Sequence, residues 1–111
     1  MEKELDYFKD FNLIDFYKDQ EEKDLFEAKQ EVLEIFSRYV KLTDKISISA
    51  IQRKLSIGYA KAAHFVELME IKNILEPTIE KVGVRRIVDK KKFVKEAVKF
   101  FSKIIRDKKK D

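Results

Sequence analysis

Apolar positions recur at helical spacing in three stretches of the chain. Leu25, Ala28, Val32, Ile35, Phe36 and Tyr39 fall three, four and seven residues apart, which predicts a helix over about residues 25–40 with one buried stripe. Asp24 is its expected N-cap. Ser49 followed by Gln52 has the capping-box pattern, so a short helix is expected over residues 50–55, burying Ile51 and Leu55. After a break at Ser56-Ile57-Gly58, a third helix is expected over residues 59–72. It turns Tyr59, Ala62, Phe65, Val66 and Met69 inward. Asn73 stands where a left-handed residue would end it. Phe93, Val94, Ala97, Val98, Phe101, Ile104 and Ile105 then mark one face of an amphipathic tail helix.

The segments between these helices read differently. Ile46-Ser47-Ile48 alternates and predicts a short edge strand. Two apolar runs, 74–77 and 83–88, surround a polar link containing Gly83 and predict a hairpin. Two helices joined by a tight turn, with small Ala62 at their crossing, form a helix-turn-helix pattern, and a hairpin after it is a wing. The expected fold is therefore mainly α: a winged helix-turn-helix, with a three-helix core, a short β-hairpin wing and extra N-terminal and C-terminal helices. The organisation reads as an acidic aromatic extension over 1–23, a winged-helix domain over 24–88 and a basic amphipathic helix over 89–111. The extension places eight large apolar residues between Leu5 and Tyr17, more than a linker carries, so it docks on the body or binds a partner.

Composition narrows the chemistry. The chain has 111 residues, two Gly, one Pro, one His, no Cys and no Trp, too few turn-formers for a sandwich or barrel. Without Cys there is no thiol nucleophile, disulfide or thiolate metal site, and one His builds no ordinary metal centre. Gly58 and Gly83 are followed by Tyr59 and Val84, so there is no phosphate-cradling P-loop. Paired acids such as Glu21-Glu22 lie in a solvated run, and no nucleophile–base constellation accompanies them. No catalytic, metal or cofactor-binding residues are expected, hence no cofactor and no small-molecule substrate. No apolar run approaches the length of a membrane span and the first residues lack a signal-peptide core, so a cytoplasmic location is expected.

Charge is distributed unevenly. Residues 1–24 hold nine acids and four bases, residues 25–88 eleven bases and eight acids, and residues 89–111 ten bases and four acids. The overall charge is +4. An acidic head with a basic middle and tail points to a polyanionic partner, nucleic acid first.

The stretch from Ile46 to Glu70, ISISAIQRKLSIGYAKAAHFVELME, resembles the γ domain at the C-terminus of FtsK/SpoIIIE DNA translocases. The matching residues are Ser47, Ser49, Gln52-Arg53, Ile57-Gly58-Tyr59, Ala62-Ala63 and Met69-Glu70, and the likeness covers about residues 24–88. The resemblance implies a winged helix that binds double-stranded DNA, reads a short G-rich loading sequence and touches the XerD recombinase. A recombinase or a translocase motor subunit is thus an implied partner, although no motor is encoded here.

In that reading the third helix enters the major groove and directs Ala60, Lys61, His64 and Glu67 at base edges. Arg53, Lys54, Lys61, Arg85 and Arg86 are the candidate phosphate contacts. The family carries Asn where this chain has Ala60 and Arg where it has His64. Ala offers a base edge no donor, and His makes one bond where Arg makes two, so an altered sequence preference is expected. Leu68 and Ile71 are apolar where the family is polar, and need cover from the head, the tail helix or a second copy. The tail helix packs on the body or pairs between subunits. Extra phosphate contacts from Lys90, Lys91, Lys92, Lys99, Lys103, Arg106 and Lys108 to Lys110 come next, and a membrane surface last. The alternative function is a winged-helix adaptor or dimerising regulator that binds proteins without reading bases.

Overall fold

In the computed structural model, residues 23–78 and 82–110 are described. The expectations for the aromatic acidic head fall outside them. The chain runs α1 (Lys23–Leu42), β1 (Lys45–Ser47), α2 (Ile48–Leu55), α3 (Tyr59–Ile71), β2 (Leu75–Pro77), β3 (Val84–Ile87) and α4 (Lys90–Lys110). The three strands form one antiparallel sheet in the order β1-β3-β2, with Ile46 opposite Arg85 and Leu75 opposite Ile87. This is a winged helix with an added terminal helix. The edge strand and the hairpin expected from alternation are both present, and β1 joins the hairpin as its third strand.

The local signals explain the helix boundaries, with two corrections. Asp24 lies inside the first turn of α1 instead of capping it, where its carboxylate still meets the positive end of the helix dipole. Helix α2 begins at Ile48, two residues earlier than expected. Its cap is Ser47, whose Oγ accepts from the Ala50 N–H at 3.1 Å, while Ser49 Oγ lies 3.2 Å from Ser47 Oγ. Two serines two residues apart offered two capping frames, and the extended backbone of Ser47, at the end of β1, selects the first. Asn73 ends α3 in the left-handed region at φ 63, as its type allows. Asp89 opens α4, its Oδ1 accepting from the Lys92 N–H at 3.0 Å.

The core sits between α1, α3 and α4 above the sheet. Phe36, Phe65, Phe93 and Phe101 are all 0% exposed. Phe101 lies 4.7 Å from Phe65 and 6.2 Å from Phe36 between ring centroids, and Phe36 meets Phe93 edge-on at 5.6 Å. Such pairs add about 0.5–1.5 kcal/mol each beyond their area. Half of this aromatic cluster comes from α4, so the tail helix is part of the body's core. Ile46, Leu75 and Ile87 close the core from the sheet side. Among the described residues, no helix is long and apolar enough to cross a membrane.

Candidate nucleic-acid interface

Helix α3 buries Ala62, Phe65, Val66 and Met69 and leaves Ala60, Lys61, His64 and Glu67 exposed. These two sets occupy opposite sides of a 3.6-residue helix. Tyr59, expected inside, is 61% exposed. It is the first helical residue, so its side chain swings back over the turn before it instead of down onto the core.

The turn that presents α3 is held from outside the helix pair. Ser56 adopts the left-handed conformation at φ 55, ψ 51 and caps α2. The Lys108 ammonium, reaching back from α4, donates to the carbonyls of Leu55 at 2.9 Å and Ser56 at 2.7 Å. It thereby satisfies the orphan carbonyls at the C-terminus of α2. Gly58 is the N-cap of α3, extended at φ −73 and ψ 164, and offers no side-chain cap. A Cβ built there meets nothing within 4 Å. Neither backbone strain nor crowding among the described residues calls for glycine at 58. What its small size does is leave the first N–H groups of α3 open to an outside anion.

Structural elements flank α3 on both sides. On the wing side, Arg85 Nε donates to Glu70 Oε2 at 3.0 Å, and its Nη1 donates to the Gly83 carbonyl at 3.0 Å. On the other side, Lys72 pairs with Glu96 of α4 at 3.2 Å, and the His64 ring lies 5.7 Å from that of Phe100. His64, Leu68 and Lys72 are spaced by four and form one ridge whose two ends touch α4, so Leu68 between them packs there and is half-buried. The cover expected for Leu68 thus comes from the core to which the tail helix contributes. Ile71 has none among the described residues and is 75% exposed.

The five candidate phosphate contacts do not form one cluster. Arg53, Lys54 and Lys61 are exposed. Lys54 Nζ sits 5.3 Å over the ring of Tyr39, within cation–π range. Tyr39 donates to the Lys45 carbonyl at 2.7 Å, and burial pushes its phenol above the ordinary value of 10.0, with the Arg53 charge pulling the other way. Arg85 and Arg86 are adjacent in a strand and so face opposite sides of the sheet. Arg85 shares a side with buried Ile87 and reaches α3, whereas Arg86 pairs across the strands with Glu76, its Nε donating at 2.7 Å. The double-arginine motif is thus split, which the strand period already implied. Among the described residues, no group of His, Cys, Asp and Glu could hold a metal ion.

Sequence reasoning did not place Gly58 and Tyr59 on the exposed start of α3, although both lie in the Ile-Gly-Tyr motif. It also missed Phe100 as the neighbour of His64, a contact that depends on how α4 crosses α3.

A family model described as the Ftsk gamma domain matches residues 27–90. The DNA translocase FtsK of Pseudomonas aeruginosa is 48% identical over 40 residues, which are 36% of this chain and 5% of that protein. The DNA translocase FtsK of Caldanaerobacter subterraneus subsp. tengcongensis is 43% identical over 53 residues, 48% of this chain and 8% of that protein. For the DNA translocase FtsK of Leptospira interrogans the identity is 36% over 72 residues, 63% of this chain and 8% of that protein. The chain therefore corresponds to a small fraction of the length of these relatives. No solved structure gives a significant match.

Proposed function

The chain belongs to the Ftsk gamma domain family, a family of DNA-binding domains, and from that premise we propose that it binds double-stranded DNA with α3 in the major groove. The observation that supports this most is the exposed face of α3. Ala60, Lys61, His64 and Glu67 stand clear between the wing and α4, while the opposite face is wholly packed. A major groove about 12 Å wide accepts one helix whose flanks meet the two backbones. Lys61, Arg53, Lys54 and Arg86 contact phosphates and set the register. Arg85 fixes the wing to α3 through Glu70, and its remaining N–H donors face the backbone.

Sequence preference follows from the four outward residues. Glu67 accepts from a cytosine amino group, His64 makes one bond to a purine N7, and the Ala60 methyl meets a thymine methyl. Without a two-pronged donor at 60 or 64, this face reads bases weakly and differently from a G-rich target. These 111 residues hold no nucleotide-binding loop, so in this reading they supply recognition and the work of translocation or recombination is done elsewhere.

A second reading, a protein-binding adaptor, has one observation in its favour. Ile71 continues the outward face of α3 and is 75% exposed. A titration against a random duplex separates the two. A groove binder with six or more phosphate contacts loses on the order of 10³ in affinity between about 50 and 200 mM salt. Absence of binding at the lower salt would reject the DNA reading.

A further inference from the structure

Helix α4 carries more charge than its packing role needs, and it carries it in one place. Its inner face, with Phe93, Val94, Ala97, Val98 and Phe101, is spent on the core. Its outer face presents Lys92, Lys95, Lys99 and Lys103, all exposed and spaced by three or four residues into a continuous stripe. These four ammonium groups have no carboxylate partner among the described residues. The carboxylate nearest the stripe on the side of α3, Glu96, is engaged by Lys72. Residues 91–111 also lie beyond the stretch matched by the family model.

Its position relative to α3 is fixed at three points along α4. Glu96 meets Lys72 at the C-terminal end of α3, Phe100 meets His64 in the middle, and Lys108 meets Ser56 just before its start. Helix α4 therefore runs antiparallel beside α3, on the side opposite Glu70 and the wing. Lys99 and Lys103 flank Phe100, the residue against His64, so they edge the exposed face of α3.

Resting on the reading of α3 as the groove helix, we propose that α4 is the second wall of the DNA site, with Lys99 and Lys103 gripping the phosphate backbone opposite the wing. Helix α4 packs chiefly on α1 and meets α3 and the turn before it through Glu96, Phe100 and Lys108, which puts its lysine stripe beside α3, toward one rim of a groove about 12 Å wide when α3 occupies the floor. Charge complementarity selects the occupant: four free cations in a row match a line of phosphates. A lipid surface fits less well, because binding one takes an apolar face and that of α4 is already buried.

The test is Lys99→Gln combined with Lys103→Gln in the full chain, assayed against a random duplex from about 50 to 200 mM salt. Both side chains are exposed, so circular dichroism should show an unchanged fold. The expected result is a salt slope shallower by about two units and, at mid-range salt, an affinity lower by about tenfold or more. If the unsubstituted chain binds steeply and the variant matches it, the α4 wall is wrong and the reading of α3 survives. If the unsubstituted chain does not bind duplex at all, the reading of α3 fails and takes the wall with it. Loss of binding to phosphatidylglycerol vesicles, with the duplex slope intact, would assign the stripe to lipid and overturn the proposal.

Discussion

Replacing Gly58 with Asp should move stability and DNA binding in opposite directions. The backbone at 58 is extended and already in N-cap geometry, and a Cβ meets nothing there, so the new side chain enters without strain. Its carboxylate can accept from the open N–H groups of α3 and sits at the positive end of the helix dipole. Asp is the better cap by a few tenths of a kcal/mol, and the dipole adds about 0.3–1 kcal/mol, for a net gain of roughly 1 kcal/mol. The same carboxylate occupies the place where a phosphate is proposed. Two unit charges about 5 Å apart repel by roughly 3 kcal/mol at an effective dielectric of about 20. Salt screening leaves about half of that, which is about tenfold or more in affinity. Urea unfolding followed by circular dichroism reads the first quantity, and duplex titration at fixed salt reads the second. A variant that is more stable and binds DNA unchanged would show that no phosphate sits at the start of α3. A variant that is less stable would refute the capping geometry itself.

Three further outcomes are expected. Phe101→Ala should cost about 3–5 kcal/mol in urea unfolding, because its fully buried ring joins α4 to Phe36 and Phe65; a loss below about 1 kcal/mol would mean α4 is not part of the core. Tyr39→Phe should cost about 0.5–1.5 kcal/mol near neutral pH through the lost bond to the Lys45 carbonyl. It should also flatten the alkaline fall in stability. The folded phenol holds its proton above 10.0 while the unfolded one releases it, so the parent chain loses stability as pH rises past that value and the variant loses less; identical alkaline profiles would contradict this. His64→Arg should shift the sequences selected from a random duplex library toward guanine at one position, by about 1–3 kcal/mol, and an unchanged profile would remove position 64 from base reading.

Periodicity carried most of the architecture. The stripes of α1, α3 and α4 and the alternation at Ile46 are local patterns, and each fixes an element without knowledge of its neighbours. Boundaries were less legible where two signals competed, as at Ser47 and Ser49, because the choice depends on where β1 ends. Tyr59 shows the limit of a helical stripe at a helix start, where the side chain leans off the end of the helix. The outward set on α3 could be written down from spacing alone. Its flanks could not: the Lys72–Glu96 pair, the His64–Phe100 contact and the Lys108 cap join residues 24, 36 and 52 positions apart. The separation of Arg85 from Arg86 was legible in principle, since neighbours in a strand cannot share a face.

The most direct measurement is amide mapping by NMR of the full chain as a random duplex is added. With α3 in the major groove, the largest perturbations fall on Gly58, Ala60, Lys61, His64 and Glu67, with a second set on α4 around Lys99 and Lys103. Perturbations confined to α1 or the outer face of β2, with the amides of α3 unmoved at saturating DNA, would contradict it.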